Sequence, residues 1–158
     1  MKKNNIYYVI AMFLPIIVWV GTSNVNSYTL YNEANIKTLF ATLVYLLAWV
    51  IVLRIGIKIK SRSLMVYGLI IWLLTCFAAA FGLYVSISEV ANLTEATTAW
   101  ALLLYILFLL PLAGIAFISS DLIVFMTIIG AITLVIAIVA IRVLRVTKRI
   151  RKEDTEAI

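Results

Sequence analysis

One carboxylate stands where two long apolar runs meet, at Ser119-Ser120-Asp121. A carboxylate carried deep into a bilayer is costly and marks an ion or proton site. The same three residues also suit a helix start, because Ser and Asp are good N-caps and a negative charge complements the helix dipole. Asp121 is therefore the candidate for an ion or proton path, with capping of the next helix as the competing reading. The lengths of the flanking runs favour the cap. That balance reverses if the turn before Asp121 re-enters the membrane. The other polar residues inside apolar runs are Thr42, Thr75, Cys76, Thr127 and Thr133. Threonine can bond back to its own preceding turn, so these read as packing or interhelical hydrogen bonds.

Most reaction chemistry lacks its residues. The chain has no histidine and one cysteine, Cys76. His-ligated haem, His metal sites, internal disulfides and CxxC redox chemistry are excluded. There is no nucleophile elbow, Gly-rich phosphate loop, HExxH or paired intramembrane aspartate. The expectation is a non-enzyme with no cofactor and no metal. No known family is recognisable in these patterns.

The elements that hold these residues are set by composition. The 158 residues are 65% hydrophobic and 13% charged, with mean hydropathy +1.15. A soluble domain is far less apolar, so lipid is the expected solvent. The fold class is all-α: a polytopic membrane helical bundle filling one domain over 1–146, with a basic then acidic tail at 147–158. Apolar segments cover about 6–20, 36–55, 64–86, 99–118 and 122–143, each near the length that crosses a hydrocarbon core. Four to five of them are true spans. Pro15 interrupts the first, which is expected to stay uncleaved because no A-x-A pattern follows it. The polar stretches 21–35 and 87–98 read as loops, and the latter holds the sequon Asn92-Leu93-Thr94. Pro111 and Gly114 bend the fourth segment. Small residues mark close helix packing: the Ala78/Gly82 pair, Gly114 and Gly130.

The formal net charge of +6 sits at helix ends. Lys58, Lys60 and Arg62 lie in one connection, and Arg142, Arg145, Lys148, Arg149 and Lys152 follow the last segment at helical spacing. Cations so placed suit anionic lipid headgroups rather than nucleic acid. The tail reads as an amphipathic extension that frays where it turns acidic. Orientation is contradictory. Cytoplasmic loops carry the Lys/Arg excess, which puts the amino terminus and the Arg54–Arg62 connection inside. Five plain spans then leave the basic tail outside. Either a segment after Leu64 fails to cross, with 111–121 the best candidate, or the tail is the inside end, or the protein inserts both ways.

The functional expectation is a small multi-pass protein of a prokaryotic plasma membrane. It acts through helix–helix and lipid contacts as an accessory subunit, scaffold or immunity-type protein. Its expected partners are membrane lipids and a membrane protein or a second copy. The alternative is a small transporter or channel subunit, with Asp121 and the in-span threonines on the path.

Overall fold

The computed structural model describes residues 3–27, 35–87, 95–118 and 121–156. Among them every element is helical. α1 is Lys3–Ser27, α2 is Ile36–Lys58, α3 is Arg62–Ile87, α4 is Glu95–Leu104 and α5 is Leu122–Glu156. Between α4 and α5 the chain winds as a π-helix over Tyr105–Leu109 and a 3-10 helix over Leu110–Phe117. Five stretches of 21 to 24 residues are long and apolar enough to span a membrane. Large apolar side chains cover the exterior: Ile17 is 66% exposed, Phe40 68% and Leu134 62%. Water does not tolerate such a surface on a monomer, so the protein is a membrane-embedded helical bundle.

The first helix departs from the expected 6–20. It runs on through Thr22 and Asn26, which had read as loop, to Ser27. Both side chains are buried: the Thr22 hydroxyl donates to the Val18 carbonyl at 2.9 Å, and Asn26 bonds outside its helix. Polar residues with such partners need not leave the helix. α2 likewise passes the expected 55 to reach Lys58, and α5 passes 143 to reach Glu156. The basic stretch is the helical extension expected, and Glu153 to Glu156, expected to fray, are helical as well.

Caps fix the ends of α2. Asn35 Oδ1 accepts from the backbone N–H of Lys37 and Thr38 at 2.9 and 3.2 Å, and Thr38 Oγ1 accepts from the Asn35 N–H at 3.1 Å. This is a capping box with threonine in the usual place of glutamate. At the other end the Ser61 N–H donates to the Gly56 carbonyl at 3.0 Å, with Lys60 left-handed at φ 49°. That is a Schellman turn with lysine at the position that normally takes glycine.

The core is aromatic near the middle of the bundle. Trp49 stacks on Tyr67 and meets Trp72 edge-on, each pair with centroids 5.9 Å apart. Tyr67 also reaches α1, donating to the Met12 carbonyl at 3.4 Å.

The contacts give each helix a direction. Lys58 Nζ lies 5.9 Å from the Tyr7 ring, so α2 ends beside the start of α1. α3 begins at that same end after a tight turn and runs 26 residues, ~39 Å at 1.5 Å per residue, to the opposite end. The fourth segment finishes at this opposite end too. Leu110 bonds Asn26 near the end of α1, and Gly114 packs on Thr38 near the start of α2. The 23 residues Glu95–Phe117 wind without a break and are long enough to cross, and the segment finishes at this opposite end. α5 starts there, with Met126 Cε 4.0 Å from the Cβ position of Gly82, and runs antiparallel to α3. Its far end returns to the amino-terminal end.

Two outcomes follow. Single cysteines replacing Lys60 and Arg145, in a Cys76→Ser background, should show the same accessibility to an impermeant thiol reagent in intact cells, and one replacing Asp121 the opposite accessibility. Lys60→Gly should raise resistance to denaturation in detergent by about 1 kcal/mol, because glycine removes the left-handed strain.

Candidate functional site

The break in the fourth segment is where the bundle's polar groups converge. Pro111 has no N–H and upsets the hydrogen-bond ladder before it. In hydrocarbon each freed backbone group needs a partner from the protein. α1 and α2 supply them. Asn26 Nδ2 donates to the Leu110 carbonyl at 2.8 Å, and Thr42 Oγ1 donates to the Pro111 carbonyl at 2.9 Å. The same Thr42 oxygen accepts from the Gly114 N–H at 3.0 Å. One hydroxyl thus satisfies a carbonyl and an amide of the 3-10 helix, and Thr42 is itself 1% exposed. Gly114 is the only residue type that allows this approach. A Cβ there would collide with the Thr38 carbonyl and stand 2.6 Å from Thr42 Oγ1.

Beside this seam the π-helical turn widens the bundle. A cavity of about 210 Å³ lies between α1, α2, α3 and the π turn. Pro15, Trp19, Tyr45, Trp49, Tyr67 and Phe108 line it, with Ile16 and Leu107 at its lipid-exposed edge. The side chains of Tyr45 and Trp49 interact edge-on. The buried indole N–H groups of Trp19, Trp49 and Trp72 do not reach hydrogen-bond geometry with any protein atom. The cavity is apolar and holds no charge.

The residues picked from sequence fall into separate places. Asp121 is exposed and caps α5: its Oδ1 accepts from the Ile123 N–H at 2.8 Å, and its carbonyl accepts from Phe125 at 3.0 Å. Asp121 thus stands at the bundle end as a cap, the reading that the lengths of the flanking runs favoured. Ser119, Ser120 and the sequon Asn92-Leu93-Thr94 lie outside the described residues.

Thr75, Thr127 and Thr133 bond back to the carbonyls of Ile71, Ile123 and Ile129 at 2.8 to 2.9 Å. They sit apart from Thr42 and form no file with it. Ala78 is 2% exposed, and Gly82 faces Met126 of α5. Gly130 differs from the expected packing role, having open space within 4 Å of its Cβ position. Lys58, Lys60, Arg62, Arg142 and Arg145 are exposed. The backbone of Lys148, Arg149 and Lys152 is helical, but their side chains lie outside the described residues. Among the described residues no three His, Cys, Asp or Glu side chains gather as a metal site.

Asn26 was missed in the sequence because it follows an apolar run and reads as loop. Its spacing of four from Thr22 was the available signal: the two share one helix face, and that face is buried. Compared with family models, with curated proteins and with solved structures, the chain matches none.

Thr42→Val should destabilise the bundle by about 1 to 3 kcal/mol, since it leaves a buried carbonyl and amide unpaired. Gly114→Ala should cost a similar amount through overpacking, and Thr42→Ser much less. Unfolding of the purified protein in mixed micelles by an anionic detergent measures all three.

Proposed function

We propose that this chain is a non-enzymatic multi-pass protein of the plasma membrane that acts by contact, as an accessory subunit, scaffold or immunity-type protein. One observation carries the reading. The buried polar side chains among the described residues are Thr22, Asn26, Thr38, Thr42, Thr75 and Thr133. Each is bonded to backbone, and no ionisable acid or base lies among them. Proton-coupled carriers work through an intramembrane acid or base, and this interior offers none. Asn26 and Thr42 tie elements together, and the other four bond to their own helix or its cap. What is left for function is surface: a broad apolar exterior and charged ends. A prokaryotic plasma membrane fits the rarity of cysteine.

A transporter or channel subunit is the second reading. It draws on the irregular winding of the fourth segment, since irregular backbone at membrane depth is tolerated where it is buried in protein or lines a cavity. The α-to-π-to-3-10 transition beside the aromatic cavity is such a place. Asp121, exposed at the end of the bundle, lends it no support.

Reconstituted into sealed liposomes, the protein should pass neither protons nor cations under an imposed gradient, and Asp121→Asn should change nothing. In mild detergent it should elute as a homo-oligomer or with a membrane-protein partner at fixed stoichiometry. A proton or cation flux that Asp121→Asn abolishes would sink the contact reading in favour of the second.

A further inference from the structure

The fold brings together two basic segments that lie 80 residues apart in the chain (62 and 142). Arg54, Lys58, Lys60 and Arg62 surround the turn from α2 to α3. Arg142 and Arg145 lie on α5, which packs antiparallel to α3 with Gly82 opposite Met126. Nineteen residues back from Gly82 is Ser63, and nineteen on from Met126 is Arg145, so Arg145 stands about level with the start of α3. All six cations are exposed. Among the described residues none of the six forms an ion pair. Asp121 is at the other end of the bundle. The acids of the tail begin at Glu153, ~12 Å further along α5 than Arg145.

The surroundings of these cations select the partner. Exposed Ile57, 46% accessible, precedes Lys58, and exposed Ile141, 42% accessible, precedes Arg142. Hydrocarbon-facing surface therefore continues up to the ring of charge without a polar gap. A partner touching both must present an apolar tail and then an anion, in that order, which a nucleic acid or an acidic peptide does not. The turn itself is built around charge. Lys60 adopts φ 49°, where glycine is the unstrained residue, and the lysine places a cation at the tip of the turn.

We propose that this end of the bundle is a binding surface for anionic phospholipid headgroups, with Lys58, Lys60 and Arg62 from the turn and Arg142 and Arg145 from α5 holding the phosphates. By the rule that cations face the cytoplasm, it engages the cytoplasmic leaflet, whose surface potential is negative. The helix beyond Arg145 continues for eleven residues, Val146 to Glu156, and extends ~16 Å past the end of the apolar span. The proposal rests on the reading of the chain as membrane-embedded and adds to it a lipid class and a place.

The test uses the full-length protein in nanodiscs that hold phosphatidylcholine and phosphatidylglycerol in equal amounts, with native mass spectrometry counting the lipids retained on release. The wild type should retain phosphatidylglycerol over phosphatidylcholine by several-fold, and the preference should shrink as salt is raised. Neutralising the surface with Lys58→Gln, Lys60→Gln, Arg62→Gln, Arg142→Gln and Arg145→Gln should bring the ratio near one. Asp121→Asn, at the opposite end, should leave it unchanged. Lys60→Gly gives a control that does not depend on a weakened fold: it should lower the preference while raising the thermal midpoint. Equal retention of both lipids by the wild type would overturn the proposal. So would a preference that survives neutralisation, or one replaced by binding of a short oligonucleotide to the reconstituted protein. Release of the protein from native membranes by alkaline carbonate is a separate readout, and it would overturn the membrane reading itself.

Discussion

A backbone inside hydrocarbon has no water to bond, so each N–H and C=O must find a partner in the protein. The fourth segment of this bundle meets that demand through one hydroxyl. Thr42 donates to the Pro111 carbonyl and accepts from the Gly114 amide. Asn26 takes the neighbouring carbonyl of Leu110. Without these two side chains the turn from π to 3-10 winding would bury unpaired groups, each at a cost of about 1 to 3 kcal/mol. Gly114 contributes by absence, since any Cβ would push the two backbones apart.

The arrangement of the whole chain follows from that seam. Because the 3-10 helix is tied to the end of α1 and the start of α2, the fourth segment finishes where α3 finished. α5 must then begin at that end and travel back. Both basic segments consequently share one end, and Asp121 lies at the other. The α3–α5 pair is held differently, by apolar packing that includes Ala78, Phe125 and Ile129 at 2%, 9% and 0% exposure. The packing of α3 on α5 sets where the tail emerges, and the Thr42 seam sets at which end α5 starts.

The interior also limits function. Aromatic side chains fill the middle of the bundle, and Trp49 touches Tyr45, Tyr67 and Trp72. The threonines outside the seam donate to carbonyls of their own helices. On the exterior, the charged end is the most distinct feature.

Much was legible in the residues themselves. Composition and run length determined that lipid is the solvent and that the elements are helices, because only helices and closed barrels satisfy their backbones in a bilayer. Asp121 as a cap and the bend near Pro111 and Gly114 were also readable, since both depend on local chemistry. The reach of α1 through Asn26 was hidden, because its partner is 84 residues away at Leu110. The clash between the basic tail and five plain spans left three arrangements open in the sequence, and no local pattern chose among them. Hydropathy measures how much apolar length a segment has and carries no direction. Only the tertiary structure decided at which end Glu95–Phe117 finishes, because the deciding contacts, Asn26 to Leu110 and Thr42 to Pro111, join residues that no local pattern pairs.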